Sequence, residues 1–156
     1  MQFDLITIGK RMPAWVDSMF TEYSKQLPKK INFNLIEIAP AARSKNTNPE
    51  QLKKIEEKKI NTAISNNSLL IALDEKGKSI SSRELSVELQ TWIDNQQHVS
   101  ILIGGADGLS LSIKNKADEI WSLSKMTLPH SLVRIVIIEQ IYRAWSIISR
   151  HPYHRE

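Results

Sequence analysis

The fold of this chain is indicated most clearly by the stretch LIGGADGLS, which runs from Leu102 to Ser110. An apolar run suited to a buried strand leads there into closely spaced glycines, whose lack of a Cβ lets the backbone approach a ligand. A second stretch, LSKMTLPHSLVR from Leu123 to Arg134, follows a short strand pattern and opens a helical one. Because open α/β sheets bind ligands beyond the carboxyl ends of their strands, the two turns predict a small-molecule cleft. A tight turn without a ligand is the alternative for the glycines.

The remainder of the chain alternates between strand and helix patterns. Strands are predicted at 3–8, 31–38, 68–73, 99–103 and 120–123, and helices at 15–27, 49–66, 82–95, 113–117 and 129–149. This alternation predicts an α/β fold, a single domain over 1–156, with a parallel sheet and helices on both faces. Residues 74–77 are expected to turn, and the buried stripe of the second helix is expected to contain Leu52, Ile55 and Ile60.

Composition narrows the class of protein. A chain of 156 residues without cysteine is one domain of ordinary size that has neither a disulfide framework nor a thiolate metal site. No apolar run reaches the roughly 18 residues that indicate a membrane span, and the N-terminus does not resemble a signal peptide. We therefore expect a cytoplasmic protein without a membrane partner. The net charge of +4 suits a phosphate-bearing partner, although many small proteins with this charge bind no nucleic acid.

The last predicted helix carries apolar residues around almost its whole circumference between Leu132 and Ile148. A helix of this kind is buried on more than one side, which in so small a domain predicts a homodimer; a fully central core helix is the alternative. Arg134, Glu139 and Arg143 interrupt this surface. The spacing of Glu139 and Arg143 suits an ordinary ion pair, whereas the arginines are also suited to binding phosphate or a developing anion.

The final six residues, HPYHRE from His151 to Glu156, are too short and polar to be expected in a core. A frayed terminus is one interpretation. The concentration of two histidines, a tyrosine and an arginine favours a segment that reaches a partner. His151 and His154 alone do not make a metal site, because no third ligand is evident.

Four segments in this order, GGADGLS, SLSKMTLPHSLVR, EQIYRAWSI and HPYHRE, resemble the RlmH-type SPOUT methyltransferases, and the resemblance covers essentially the whole chain. It implies a C-terminal trefoil knot, the cofactor S-adenosyl-L-methionine, and a homodimer in which the tail completes the neighbouring subunit's active site. The implied reaction is methylation of N3 of a pseudouridine in the 23S rRNA of the large ribosomal subunit, so the ribosome is the expected partner. The implied cofactor-binding residues are Leu73, Gly104, Leu123, Ser124, Lys125, Met126, Thr127 and Leu128.

The implied chemistry suggests roles for the remaining polar residues. N3 of pseudouridine carries a proton, so the site must favour the anion and align it with the methyl group. His130 and His154 are unranked candidates for the proton acceptor, and Arg143 and Arg155 are candidates for stabilising the anion. Candidates for RNA contact comprise three arginines and one tyrosine, with two lysines beside them: Arg11, Arg43, Arg134 and Tyr153, then Lys10 and Lys45.

Three other functions are compatible with these patterns. The first is a related methyltransferase that acts on tRNA, which the lack of an extra RNA-binding domain disfavours. The second is a non-enzymatic ribosome-binding dimer, which the intact glycine-rich and proline-bearing turns disfavour. The third is a nucleotide-binding α/β enzyme of another chemistry, which the lack of a phosphate-binding loop disfavours.

Overall fold

A computed structural model describes residues 1–44 and 46–154. Within them, strands and helices alternate along the chain, as the sequence predicts. The elements are β1 (Gln2–Ile8), α1 (Ala14–Gln26), β2 (Asn32–Ile38), α2 (Pro49–Ala63), β3 (Leu69–Ser79), α3 (Ser82–Asp94), β4 (His98–Ile103), α4 (Leu111–Lys116), β5 (Glu119–Ser122) and α5 (His130–Ile148).

The strands form one sheet in the order β2-β1-β4-β3-β5, and every neighbouring pair is parallel. Alternate strand residues point to opposite faces, so the core has two parts. One part packs between the sheet and helices α1, α3 and α5, and the other between the sheet and helices α2 and α4. The predicted α/β fold, with a parallel sheet and helices on both faces, is therefore confirmed. The trefoil knot stays a prediction, because strand order does not record how the chain is threaded.

Helix α5 is not a fully central core helix. It packs against α1 and α3, and its inner side is buried from Arg134 to Ser146. Its other side leaves apolar surface partly open, and Leu132 is 40% exposed. This surface supports the predicted dimer, which stays a prediction. No helix in the described part of the chain is long and apolar enough to cross a membrane.

The turn expected at 74–77 is instead an irregularity within β3. Leu73 and Lys78 both pair with Trp121, so the residues between them bulge out of the ladder before the strand continues to Ser79. Gly77 permits this return, because a Cβ there would lie 2.6 Å from the backbone carbon of Trp121. The prediction that the strand ends near Leu73 was wrong because a bulge and a turn share the same polar and glycine-containing composition.

The buried face of α2 also differs from the prediction. Ile55 is 47% exposed, whereas Glu56 is only 8% exposed and lies between Leu52 and Ile60 on the inner face. The Glu56 carboxylate is satisfied there, because its Oε1 accepts the backbone N–H of Ala41 at 3.1 Å. An apolar-polar pattern places charges outside, so it could not identify this buried acid.

A second buried acid, Asp4, lies at the opposite edge of the sheet from the predicted cleft. Its carboxylate accepts a hydrogen bond from Asn34 at 2.9 Å and contacts His98 Nε2 at 2.6 Å. Burial raises the pKa of Asp4, but the hydrogen bonds from Asn34 and His98 outweigh this effect and hold the pKa below its usual value. Asp4 therefore stabilises the fold in its ionised form.

We expect Asp4→Asn to lower the free energy of unfolding by about 1–3 kcal/mol at neutral pH, because it disrupts a buried hydrogen-bonded network. A depressed carboxyl pKa gives stability that is present above the unfolded value, about 3.9, and lost as the pH falls through the folded value. The difference between variant and wild type should therefore shrink below about pH 4. Urea unfolding at several pH values measures it. Asp94→Asn, at an exposed position, is the matched control, and an equal loss in both variants would contradict the assignment.

Candidate active site

A cleft opens at the bulge of β3 and at the carboxyl ends of β4 and β5. Its volume is about 450 Å³, within the range of small-molecule and cofactor sites. Its walls come from residues 73–76, 103–109, 121–124 and 126–128, and the start of α5 adds His130 and Val133. The cleft therefore lies where the two turns in the sequence predict it.

The glycine-rich turn after β4 is folded tightly on itself. The backbone N–H of Gly108 donates to the carbonyl oxygen of Gly105 at 2.9 Å, and Gly108 has a φ of 77°. A Cβ at Gly104 would lie 2.7 Å from both the carbonyl carbon of Gly108 and the nitrogen of Leu109. Only glycine fits at position 104 without movement of the turn, so the turn is both a tight backbone feature and a wall of the cleft.

The loop after β5 is held by its own polar side chains. Ser122 Oγ donates to the carbonyl oxygen of Ser124 at 3.0 Å, and Ser124 Oγ accepts the N–H of Met126 at 2.9 Å. Thr127 Oγ1 donates to Glu75 Oε2 at 3.2 Å, which joins the loop to the bulge of β3. These contacts fix one wall of the cleft before any ligand binds.

The structure brings together most of the predicted cofactor-binding residues. Seven of the eight line the cleft: Leu73, Gly104, Leu123, Ser124, Met126, Thr127 and Leu128. Lys125 lies in the same loop but is exposed and does not line the cleft. Sequence reasoning missed Asp74 and Lys114, which form an ion pair at the cleft wall. Burial raises the pKa of Asp74, but the hydrogen bond from Lys114 outweighs it, so the pKa lies below its usual value.

His130 is the first residue of α5 and reaches the cleft wall. Burial lowers its pKa, the positive charge of Arg134 lowers it further, and Glu56 partly opposes both, leaving the pKa below its usual value. The imidazole is therefore neutral at physiological pH and able to accept a proton.

Arg134 does not lie on the surface. Its side chain is 1% exposed, its Nη1 pairs with Glu37 at 2.5 Å, and its Nη2 donates to the carbonyl oxygen of Gly9 at 2.7 Å. An RNA phosphate does not reach a buried guanidinium that is already engaged in this way. We therefore correct the prediction for Arg134, which belongs to the packing of α5 on the sheet and not to the RNA-contact residues.

A second polar cluster surrounds Glu139 near the other end of α5. Arg143 donates to Glu139 Oε1 from Nε at 2.9 Å and from Nη2 at 2.7 Å. The Tyr153 hydroxyl donates to the same oxygen at 3.0 Å and lies 3.3 Å from the hydroxyl of Tyr23. Burial, followed by the hydrogen bonds to Tyr23 and Glu139, raises the pKa of Tyr153, so the phenol stays protonated. Sequence reasoning missed that Glu139 accepts hydrogen bonds from both Arg143 and Tyr153. The spacing of Glu139 and Arg143 was the only signal for this cluster.

The described part of the tail folds back onto its own chain. The ring of Tyr153 packs edge-on against Tyr142 at 4.6 Å, and the Arg143 guanidinium lies 5.1 Å from the ring centre of Tyr153. The expectation that the tail is too polar to pack was therefore wrong for Tyr153, which contacts the core. His154 is partly buried with no hydrogen-bond partner at Nδ1 in the described structure, and Arg155 lies outside the described residues.

Two of the candidates for the chemistry, His130 and Arg143, do not meet within one subunit. His130 lines the cleft, whereas Arg143 lies further along the same helix and is not part of the cleft wall. At a rise of about 1.5 Å per residue, the helix separates these two positions by roughly 20 Å. One chain therefore contains two half-sites, a cleft with His130 and a cluster with Glu139, Arg143 and Tyr153.

Two of the remaining RNA-contact candidates lie on loops at the cleft edge of the sheet. Arg11 is exposed in the loop after β1, with a φ of 60°. Arg43 follows β2, and its side chain is 55% exposed although it pairs with Asp107 in the glycine-rich turn. Lys10 is exposed beside Arg11, and Lys45 lies outside the described residues.

Comparisons with known proteins identify close relatives over the full length. The family model described as "Predicted SPOUT methyltransferase" matches residues 1–154. "Ribosomal RNA large subunit methyltransferase H" of Saccharophagus degradans is 48% identical over 155 residues, covering 99% of this chain and 100% of its own. The protein of the same name from Methylobacillus flagellatus is 44% identical over 156 residues, and the alignment covers 100% of both chains.

A solved structure supports the fold independently. A "probable methylase family protein" from Haemophilus influenzae Rd KW20 superposes with a TM-score of 0.62 over 99% of this chain and 70% of its own. At 12% identity, this similarity shows the fold alone. The family model, in contrast, matches almost the whole chain. The chain therefore belongs to the SPOUT methyltransferase family.

Proposed function

We propose that this protein transfers a methyl group from S-adenosyl-L-methionine to N3 of a pseudouridine in 23S rRNA, within the large ribosomal subunit. The observation that carries the proposal is full-length identity of 44–48% to relatives named as methyltransferases of large-subunit ribosomal RNA. The cleft supports it, because seven of the eight predicted cofactor-binding residues line it.

The cleft residues fit the chemistry of the proposed cofactor. The apolar side chains of Leu73, Leu123 and Leu128 suit an adenine ring, and the Asp74–Lys114 pair offers both signs of charge to polar groups of the cofactor. The absence of a side chain at Gly104 keeps the turn compact against the space that the cofactor would occupy. When bound, S-adenosyl-L-methionine would supply an activated methyl group on a sulfonium, whose sulfur–methyl bond would break to leave a neutral thioether.

The residues of the two half-sites suit the proton and charge changes that methylation at N3 requires. His130, held neutral, accepts the N3 proton, so that the nitrogen lone pair forms the bond to the methyl group. The Arg143 guanidinium stabilises the negative charge that develops on the base. Tyr153, held protonated by its environment, donates a hydrogen bond and offers a ring on which the base can stack.

We propose that a homodimer joins the half-sites. Arg143, whose guanidinium lies over the ring of Tyr153, is roughly 20 Å along α5 from His130, so one subunit does not close both around a single base. A two-fold dimer places the cluster of one chain at the cleft of the other and repeats the arrangement at the second site. The partly exposed apolar side of α5 is the surface that supports such a contact.

Methyl transfer from labelled S-adenosyl-L-methionine to intact large subunits, and in parallel to bulk tRNA, tests the function. We expect label on one pseudouridine of 23S rRNA, mapped by mass spectrometry of nuclease digests. Label on tRNA alone would keep the reaction but replace the substrate. Absence of label, together with absence of cofactor binding in calorimetry, would establish a non-enzymatic protein.

We expect Gly104→Ala to weaken cofactor binding by at least about tenfold, because the added Cβ meets backbone of the same turn at 2.7 Å. Isothermal titration with S-adenosyl-L-methionine measures the affinity, and thermal melting checks the fold. Gly108→Ala is the comparison variant, since its added Cβ meets nothing within 4 Å and the cost there is confined to the left-handed φ. Equal losses of affinity in both variants would remove the steric argument.

Subunit complementation tests the composite site. His130→Gln and Arg143→Ala should each abolish turnover as homodimers, whereas a heterodimer of the two, isolated with two affinity tags, should regain about half of wild-type turnover, because one of its sites is intact. A heterodimer of wild type with the double variant is the matched control and should be inactive, since each of its sites carries one lesion. If instead the control heterodimer is active and the heterodimer of the two single variants is inactive, both half-sites act within one subunit, which contradicts the composite site.

A further inference from the structure

Arg43 and Asp107 form an ion pair at the rim of the cleft. Arg43 Nη2 donates to Asp107 Oδ2, although the two residues are 64 positions apart in the chain. An ion pair between solvent-exposed side chains adds little to stability, and the Arg43 side chain is 55% exposed. Stability of the fold therefore does not account for the pair.

Asp107 is held in place by the glycine-rich turn. It lies between Gly105 and Gly108, whose backbone hydrogen bond of 2.9 Å closes the turn. A Cβ at Gly105 would lie 3.0 Å from Oε2 of Glu56, so the turn rests directly against helix α2. Asp107 lines the cleft, and its side chain is 22% exposed. Its carboxylate is therefore an acceptor at a fixed position on the rim.

The backbone on both sides of Arg43 is fixed as well. Two residues before it, the N–H of Ala41 donates to Oε1 of Glu56 at 3.1 Å. Directly after it, the N–H of Ser44 donates to Oγ1 of Thr47 at 3.0 Å. Glu56 therefore lies against both the loop that carries the arginine and the turn that carries its partner, which fixes the two relative to each other.

The ion pair leaves most of the Arg43 guanidinium available. Within residues 1–44 and 46–154, its one hydrogen bond is the bond from Nη2 to Asp107, whereas a guanidinium has several N–H donors in a planar fork. Such a fork matches the oxygens of a phosphate. Asp107 therefore fixes the orientation of a cation whose other donors stay open to solvent at the rim of the cleft.

We propose that Asp107 is a positioning residue for RNA: it holds the Arg43 guanidinium at the rim of the cleft, where the guanidinium binds a backbone phosphate beside the target base. That the partner is RNA rests on the proposed function. A base that enters the cleft leaves its flanking phosphates at the rim, and phosphate contacts fix the register of a nucleic acid without reading its sequence. Because Asp107 immobilises Arg43 before RNA arrives, binding does not have to order this long side chain.

Positioning predicts an effect opposite in sign to that of charge alone. Asp107→Ala removes a negative charge beside a polyanion, which by charge alone should tighten RNA binding. Loss of positioning should instead weaken binding by about three- to tenfold. Arg43→Ala should weaken binding by about tenfold and lower the slope of log affinity against log salt concentration by about one. Filter binding of large ribosomal subunits at several salt concentrations measures both quantities, without cofactor because Asp107 also lines the cleft.

Two comparisons separate positioning from a general loss of structure. In the Arg43→Ala background, Asp107→Ala should cause no further weakening, because its effect acts through Arg43. Glu50→Ala is the matched control, since it also removes an exposed acid paired with a cation of the cleft wall, Lys53, at 2.9 Å. It should leave binding unchanged or tighten it, because the lysine ammonium is a point charge that needs no fixed orientation. Thermal melting of each variant checks the fold.

The outcomes are distinct from those of the proposed function. Unchanged or tighter binding by Asp107→Ala, or an equal weakening in the presence and absence of Arg43, overturns the proposal. The predicted pattern with bulk tRNA but not with large subunits would retain the Arg43–Asp107 arrangement and reject the proposed substrate. The predicted pattern with large subunits, together with absence of methyl transfer, would retain the arrangement and reject the proposed reaction.

Discussion

The hydrogen bonds that attach Arg134 to the ends of β1 and β2 determine where the other polar residues of α5, His130 and Arg143, lie. Helix α5 is stiff and 19 residues long, so fixing its first turn to the sheet also fixes the direction of its far end. His130 is thereby placed at the cleft and Arg143 is placed beyond its reach. The separation of the half-sites is a consequence of helix geometry, and a second subunit is the simplest way to overcome it.

The fold and the position of the cleft could be predicted because they depend on backbone features with local signals. Alternating periodicities identify the strands and helices, and the glycines after β4 mark a turn where a side chain at Gly104 does not fit. Leu123 could be assigned to the cleft because parallel strands end at the same edge of a sheet, and Leu73 because the ladder of β3 is interrupted directly after it.

The buried charged side chains could not be predicted in the same way. Glu56 and Arg134 occupy core-facing positions where an apolar residue is expected, and each finds a hydrogen-bond partner on another segment of the chain. The partner of Arg134 is Glu37, almost a hundred residues away, and no local pattern records such a pairing. Tyr153 was misjudged for the same reason, since its hydroxyl depends on Glu139 and Tyr23. Local sequence indicates backbone geometry, whereas buried polar partners are long-range.

A division into half-sites has a chemical advantage for the proposed reaction. The cleft lies within one chain, so in the proposed dimer the cofactor would bind there before RNA arrives, while the cluster proposed to neutralise the base would belong to the other chain. In the absence of a base, Glu139 accepts hydrogen bonds from both Arg143 and Tyr153. These bonds satisfy both groups and keep the guanidinium from pairing with other anions. An incoming anionic base must compete with Glu139 for the same donors. That competition favours a ligand that presents both negative charge and a flat face, which is the form that an ionised uracil ring offers.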